Sequence, residues 1–169
     1  MRWLVDGYNV IRRDPELQSR EAESLEAGRR ALLHVIARAR RASQDEFTVV
    51  FDGSRLTGGT PTPGRIRVVF SRPPLTADDE IMRLARQLRS GAVVVSSDRK
   101  IQDAARRAGS AVLTAEQFLE ALDVPERSPA ADSKDDSDAG PAREKRGNPR
   151  RLSKKERRAQ RALGRLRRP

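Results

Sequence analysis

The sequence predicts an α/β fold with a mainly parallel sheet of about five strands and helices on both faces. Short apolar runs alternate with helical patterns over the first 122 residues, which is the order expected of β-α-β units. The runs at 3–5, 48–51 and 92–95 are apolar throughout, as strands buried on both faces are. Each is followed within three residues by an aspartate, and the carboxyl edge of a parallel sheet is where ligands bind.

The individual elements follow from periodicity and turn residues. Strands are predicted at 3–5, 47–51, 66–70, 92–95 and 111–113, with 66–70 at an edge of the sheet. Amphipathic helices are predicted at about 22–41, 75–90, 98–108 and 115–122. Residues 12–18 contain Asp14-Pro15 and are interpreted as a loop or a short turn of helix, and Gly7 as a turn residue.

The excess positive charge is confined to the C-terminal end. The formal net charge is +11; residues 1–142 carry 22 positive and 22 negative side chains, and residues 143–169 carry 13 positive and 2 negative ones. A neutral body with a basic tail indicates a partner rich in phosphates, either a nucleic acid or another anionic surface.

The last 46 residues are predicted to lie outside the folded domain at 1–123. Residues 124–149 are rich in Pro, Ser, Ala, Asp and Gly, which predicts a disordered linker. In the basic tail at 150–169, Ser153 and Glu156 have capping-box spacing and can start a helix. Its thin apolar stripe consists of Leu152, Ala159, Leu163 and Leu166. So charged a helix is marginal alone in water, and we expect it to fold on binding.

The composition excludes several classes of site. There is no cysteine, hence no disulfide, zinc–thiolate site or thiol nucleophile. Asp6 interrupts the first apolar run before it reaches the length of a signal peptide, and no later run could span a bilayer, so a soluble cytoplasmic protein is expected. The one histidine, His34, is interpreted as a helix-surface residue. No Ser/His/Asp or P-loop pattern is present.

Carboxylates at the predicted strand ends form the most informative constellation. They are supplied by Asp6, Asp52, the pair Asp78 and Asp79, and Asp98. Clustered carboxylates need a cation or protons to coexist, and their hard oxygens favour Mg²⁺ or Mn²⁺ over zinc. Such a cluster is what a nuclease uses to bind a scissile phosphate and activate water.

Most of these acids also have an ordinary structural explanation. Asp98 could cap a helix, and Asp52 before Gly53 could belong to a turn. Asp79 stands three residues after Thr76 and fits a capping box, so the ligand role goes to Asp78. Asp6 is the exception, because no helix clearly starts after it.

Polar residues next to the acids are predicted to support them, and each also has a simpler structural interpretation. Asn9 is expected to hold Asp6 or a metal-bound water, or only to cap the following turn. Tyr8 could stack on a base, although core packing is the simpler interpretation. Arg99 and Lys100 could contact phosphate or be solvated.

The motif at residues 6–9, Asp-Gly-Tyr-Asn, resembles the signature of the NYN domain, a branch of the PIN-like nucleases, and is most similar to its YacP-like group. The resemblance extends through 49–52 (Val-Val-Phe-Asp), 76–78 (Thr-Ala-Asp opening a helix) and 97–98 (Ser-Asp after a strand), in that order and at similar spacing. It covers roughly residues 1–122, so the basic tail lies outside it. The signature is fairly specific, and the later pieces gain weight from their order.

The resemblance implies a PIN-like three-layer α/β/α fold and a metal-dependent endoribonuclease. By position, Asp6, Asp78 and Asp98 would be the ligands of Mg²⁺ or Mn²⁺, with Asn9 and Asp52 in support. Some members of the group resemble ribosome-associated enzymes that cleave messenger RNA. The expected partners are therefore RNA and the ribosome, and the residues expected to bind RNA are Arg99, Lys100, Arg150, Arg151, Lys154, Lys155, Arg157 and Arg158.

Two other functions fit parts of the pattern. A non-catalytic RNA-binding or ribosome-associated adaptor would keep the same fold and would bind RNA without needing Asp6. A phosphoacceptor receiver-like domain also gathers acids above a parallel sheet. The receiver is disfavoured because Gly7 and Thr114 stand where it would have a second acid and a lysine.

Overall fold

A computed structural model describes residues 1–39, 44–53, 66–122 and 153–166, and its centre is a parallel sheet of five strands. The strands are β1 (Arg2–Asp6), β2 (Glu46–Phe51), β3 (Ile66–Phe70), β4 (Ala92–Val95) and β5 (Ala111–Leu113). Their order in the sheet is β3-β2-β1-β4-β5, and every neighbouring pair is parallel. The predicted parallel sheet is confirmed, and so is the edge position of β3.

The strand order brings the three predicted acidic strand ends together. Strand β1 lies between β2 and β4, with Val5 in register with both Val49 and Val95. Asp6 therefore ends the central strand, level with Val50 on one side. The alternation of side chains along β1 places Trp3 and Val5 on one face of the sheet and Leu4 on the other.

Helices cover both faces of the sheet. They are α1 (Gly7–Ile11), α2 (Pro15–Glu23), α3 (Leu25–Ala39), α4 (Ala77–Leu88), α5 (Arg99–Arg107), α6 (Ala115–Leu122) and α7 (Lys154–Leu166). On the Leu4 face, α4 and α5 bury Ile81 and Ile101; on the Trp3 face, the helices α1, α2, α3, α6 and α7 enclose the larger part of the core. The predicted α/β/α layers are therefore confirmed. Within the described residues, no helix is long and apolar enough to cross a membrane.

Residues 1–39 hold more helix than the sequence predicted. Helix α1 begins directly after β1, and the nine-residue α2 covers much of 12–18, which was predicted as a loop or a short turn of helix. Asp14 caps α2 by accepting from the Leu17 backbone N–H at 2.9 Å, and Pro15 fills the first helical position. The helix predicted at 22–41 is divided at Ser24, which is extended. The Asp14-Pro15 pair therefore starts a helix and does not interrupt one.

Helix α7 lies against the domain, where the sequence had placed an independent basic tail. Its predicted capping box is present: Ser153 Oγ accepts from the Glu156 N–H, and the Glu156 carboxylate accepts from the Ser153 N–H at 2.7 Å. Ala159, Ala162 and Leu166 are buried in the same core as Trp3 and Phe118. The predicted linker at 124–149 and the stripe residue Leu152 lie outside the described residues.

A buried carboxylate holds the C-terminal end of α7. Asp45 precedes β2, is fully buried, and accepts from the Trp3 indole N–H at 3.0 Å and from the Arg165 guanidinium at 3.1 Å. The amino group of Met1 also donates to it, at 2.5 Å. Asp45 was not singled out in the sequence, because nothing in its local pattern separates it from a loop residue.

Candidate active site

Asp6 occupies the centre of the carboxyl edge of the sheet. Its side chain is only 8% exposed. One carboxylate oxygen accepts from the Ser96 hydroxyl at 2.8 Å, and the other accepts from the Asn9 backbone N–H at 3.4 Å. The second contact makes Asp6 the N-cap of α1. The expectation that no helix starts after Asp6 is therefore wrong, since Asp6 both ends β1 and caps α1.

Gly7 is required by close packing rather than by a turn. It is the first residue of α1, and a Cβ atom built on it would lie 2.2 Å from a carbon of the Phe51 ring. Non-bonded carbons do not approach so closely. The Phe51 ring in turn contacts the Tyr8 ring edge-on, with centroids 5.1 Å apart. Tyr8 thus packs beside the core, which agrees with the core-packing interpretation of this residue.

The Asp6 carboxyl is poised between its neutral and ionised forms near pH 6. Burial, the largest effect, raises its pKa from 3.8 to about 6. The hydrogen bonds from Ser96 and Asn9 oppose this rise, and the negative charges of Asp78 and Asp98 add to it. A buried carboxylate whose pKa is raised by burial and by two other carboxylates is a candidate functional group.

Asp78 and Asp79 have different surroundings despite being adjacent. Thr76 caps α4, and Asp79 completes the capping box by accepting from the Thr76 N–H at 3.1 Å and from its hydroxyl at 2.9 Å. Asp78 accepts no hydrogen bond within the described part of the chain, and burial followed by repulsion from Asp98 raises its pKa. The predicted division between a structural Asp79 and an available Asp78 agrees with these contacts.

Asp98 caps α5 and faces the other acids. One of its oxygens accepts from the backbone N–H groups of Lys100 at 2.7 Å and Ile101 at 3.1 Å. The predicted capping role is confirmed. Capping leaves its second oxygen free of any hydrogen bond in the described part of the protein. Arg99 and Lys100 are exposed on the first turn of α5, and the positive charge of Lys100 acts on Asp78.

A second polar network lies beside Asp6 and was missed in the sequence. The Asn9 side-chain oxygen accepts from the Ser97 N–H at 2.8 Å, so Asn9 fastens α1 to the loop after β4. The Ser97 hydroxyl donates to Glu116 at 2.6 Å, and Glu116 pairs with Arg13 at 3.1 Å. The hydrogen bond from Ser97 lowers the pKa of Glu116. Ser96 and Ser97 follow an apolar strand, and that signal could have identified them.

Asp52 lies at the rim of this edge. It is exposed, and its carboxylate accepts from the Ser71 hydroxyl at 2.6 Å, which joins the ends of β2 and β3. It is close enough to raise the pKa of Asp78 slightly. Its predicted supporting role would therefore act through charge and not through contact with Asp6.

The donor chemistry of these acids suits a hard divalent cation. Asp6, Asp78 and Asp98 offer only oxygen ligands, and their mutual repulsion would be relieved by positive charge between them. In the side-chain positions described, however, no three His, Asp or Glu side chains form a group that could hold a metal ion. Asp6 is fixed by its hydrogen bonds, whereas Asp78 and one oxygen of Asp98 accept none from the described residues, so the edge offers an open arrangement of ligands.

The cations predicted to bind RNA fall into three groups. Arg99 and Lys100 lie near the acids, and Arg150 and Arg151 are outside the described residues. The remaining predicted cations, Lys154, Lys155, Arg157 and Arg158, belong to α7. Helix α7 is anchored at the opposite edge of the sheet, because Asp45 and the C-terminal end of α5 both precede strands. The structure therefore separates these four cations from the acidic site.

Comparison with known proteins identifies the family. The family model for the YacP-like NYN domain matches residues 3–164, which is nearly the whole chain. The chain belongs to the YacP-like NYN domain family. The match includes most of α7 and so extends beyond residues 1–122, to which the motifs alone had limited the resemblance.

Relatives in Bacillus subtilis support the same assignment. The uncharacterized protein YacP of strain 168 is 33% identical over 129 residues, which cover 73% of this chain and 76% of YacP. A crystal structure of Rae1 (YacP) from this organism is 32% identical with a TM-score of 0.64, covering 75% of this chain and 76% of the other. A structure of a Rae1 mutant is 30% identical with the same TM-score, covering 75% and 77%. The NYN domain has a nuclease-type fold, and this chain shares it.

Proposed function

We propose that this YacP-like NYN protein is a metal-dependent endoribonuclease that cleaves RNA phosphodiester bonds at the carboxyl edge of its sheet. The observation that carries the proposal is the buried Asp6 carboxyl, held by Ser96 at the end of the central strand and repelled by both Asp78 and Asp98. Such an arrangement costs stability unless a cation or proton neutralises it. A catalytic use of the Asp6 charge would explain why the fold retains a carboxylate at this costly position.

In this proposal Asp6, Asp78 and Asp98 would hold Mg²⁺ or Mn²⁺. When bound, the ion would lower the pKa of a water molecule and neutralise the scissile phosphate. The chain's own groups prepare the site: Ser96 orients the Asp6 carboxylate, and Asn9 fixes the loop that carries Asp98 by accepting from the Ser97 N–H. The N–H of Asp98 donates to Ser96 Oγ at 3.1 Å, so Ser96 links the two acids directly.

Two cations near the acids would bind the substrate strand. Lys100 is exposed on the first turn of α5, close enough to Asp78 for its charge to lower the pKa of that carboxyl. Arg99 is its exposed neighbour in the same turn. In this proposal both would contact phosphates flanking the scissile one. Messenger RNA on the ribosome is the substrate that the family resemblance favours. An enzyme acting on this substrate would work in the cytoplasm.

The proposal is tested by incubating a labelled, largely single-stranded RNA with the protein and its Asp6→Asn variant, in Mn²⁺, in Mg²⁺ and in EDTA. We expect internal cleavage that requires metal and is lost in the variant. Asp14→Asn is the matched control, because Asp14 also caps a helix through a backbone N–H but lies at the start of α2. Equal RNA binding by all three proteins with no cleavage would favour the non-catalytic adaptor.

A further inference from the structure

We infer that the exposed basic face of α7 is a second RNA-binding surface, which contacts the phosphate backbone of a double-stranded RNA segment and not the strand that is cleaved. The basic face is defined here as Lys154, Arg157, Arg158 and Arg161. The inference extends the proposed nuclease function by giving the protein a second RNA contact, remote from the acids.

The position of α7 follows from its two anchors. At its N-terminal end, Lys155 donates to the carbonyl of Arg106, at the end of α5 and just before β5. At its C-terminal end, Arg165 pairs with Asp45, just before β2. Both anchors lie at the amino edge of the sheet. The strands β5 and β2 are three spacings apart, about 14 Å, and a helix of this length spans about 20 Å, so α7 lies along that edge.

The acids lie at the other edge. In β1, Arg2 pairs with residues at the amino edge and Asp6 ends the strand at the carboxyl edge, so four residue steps, roughly 13 Å, separate the two edges. A phosphate bound at the acids and a phosphate bound on α7 are therefore too far apart to be neighbours in one strand. This is why the basic face is assigned to a second segment.

The charge of the basic face is available to a partner. Lys154, Arg157 and Arg161 are exposed and Arg158 is half-buried. Within the described residues, none of the four has a carboxylate within ion-pair distance. The one acid of α7, Glu156, is used in the capping box. Neutralising phosphates with such side chains releases counterions, which favours binding at low salt.

The chemistry of this face favours an RNA helix over other anionic partners. Proteins that bind single-stranded RNA use aromatic side chains to stack bases, and α7 has none. Double-stranded RNA is recognised mainly through phosphates and sugar hydroxyls, for which a row of arginines is sufficient. An amphipathic helix binds a membrane surface by inserting its apolar face, and this mode is closed to α7 because Ala159, Ala162 and Leu166 are buried in the core.

The test compares two triple variants of the full chain that each remove three positive charges. One replaces Arg157, Arg158 and Arg161 by Gln, and the control replaces Arg20, Arg30 and Arg38, which are exposed on α2 and α3. Binding to a mixed-sequence RNA duplex of about 16 base pairs is measured in EDTA between about 50 and 200 mM salt. Circular dichroism melts establish that both variants fold.

We expect the α7 variant to bind the duplex at least about 10-fold more weakly at low salt, with a salt dependence that is shallower by about 2 to 3 in slope. The control should change affinity less than about 2-fold. Equal effects of the two triples would overturn the inference. A single-stranded RNA that binds as tightly as the duplex, and is equally sensitive to the α7 variant, would overturn the assignment to double-stranded RNA.

The same variants distinguish this inference from the nuclease proposal. A single-stranded RNA of three nucleotides has only two, adjacent phosphates and cannot join the two edges, so its metal-dependent cleavage should be the same in the α7 variant and the wild type. Loss of that cleavage would show that α7 contacts the cleaved strand, which contradicts the inference. If no RNA is cleaved by any of the proteins, the nuclease proposal fails, while the binding comparison in EDTA still decides the role of α7.

Discussion

Replacing Asp6 by Asn should stabilise the protein at neutral pH while abolishing its proposed activity. Burial raises the pKa of Asp6 to about 6 from 3.8, so the folded protein binds this proton more tightly than the unfolded chain does. Each unit of pKa difference corresponds to about 1.4 kcal/mol, which makes the cost of ionising Asp6 in the fold about 3 kcal/mol. Asn carries no charge and avoids this cost.

Because the pKa of Asp6 is raised in the folded state, the stability of the wild-type protein depends on pH. Between about pH 4 and pH 6 the native state holds a proton that the unfolded state has released, so the wild-type protein loses stability as the pH rises through this interval. The penalty is complete above pH 6 and absent below pH 4. Asn can retain one of the two hydrogen bonds of Asp6, and loss of the other costs about 1 kcal/mol. The variant should therefore be about 2 kcal/mol more stable than the wild type at pH 7.5, and about 1 kcal/mol less stable below pH 4, where only the lost hydrogen bond counts.

Urea denaturation at several pH values, in EDTA, measures this gain. The Asp14→Asn variant is the control, because Asn caps helices about as well as Asp and no pH-dependent gain is expected from it. A variant that is no more stable than the wild type at pH 7.5, or whose gain is the same at pH 4, would refute the reasoning.

Adding Mn²⁺ should then reverse the order of stability. A ligand at 100 times its Kd stabilises the folded state by about 2.7 kcal/mol, and only the wild-type protein would keep the Asp6 carboxylate as a ligand. We therefore expect Mn²⁺ to raise the free energy of unfolding of the wild type and to leave that of Asp6→Asn nearly unchanged. Equal stabilisation of both proteins would mean that the ion binds elsewhere.

Other substitutions test the packing described above. Gly7→Ala should lower the free energy of unfolding by about 2 kcal/mol, because its methyl group would overlap the Phe51 ring, and Phe51→Leu should recover part of this loss in a double-mutant cycle followed by urea denaturation. Ala162→Asp should cost about 3 kcal/mol or more in the same assay, because it places an unpaired carboxylate in the core against which α7 packs. Gly164→Ala should instead raise the melting temperature by stabilising α7 by about 1 kcal/mol, because a Cβ there meets no atom within 4 Å. An unchanged melting temperature for Ala162→Asp would contradict the docking of α7.

The strands and the acidic edge could be predicted because their signals are local. Runs such as 92–95 are apolar on both faces, and each ends in polar residues at the same edge of a parallel sheet. The start of α1 could not be predicted in this way, since Asp6-Gly7 has the composition of a turn. Only the distance to Phe51, which is 44 positions away in the chain, shows why a glycine is needed.

The docking of α7 was missed for a similar reason. Ala159 and Ala162 are small, so the apolar stripe looks too thin to bury when the helix is considered alone. Its stability in the fold depends on partners distant in sequence: the core around Trp3 and Phe118, and the carboxylate of Asp45 for Arg165. Long-range contacts of this kind leave no periodic pattern in the sequence. Deleting the tail would remove part of the core, and charge replacement is the cleaner test of its role.

The most direct test of the proposed site is to measure metal-dependent RNA cleavage by two variants, Asp78→Asn and Asp79→Asn. These acids are adjacent in the chain, but their surroundings differ. Asp79 is committed to the capping box, where Asn can still accept from Thr76, whereas Asp78 is free of hydrogen bonds in the described residues and interacts with Asp98. We expect Asp78→Asn to abolish cleavage of a labelled RNA in Mn²⁺ and Asp79→Asn to retain wild-type activity. Cleavage that survives Asp78→Asn, or is lost equally in both variants, would contradict the assignment of the metal site.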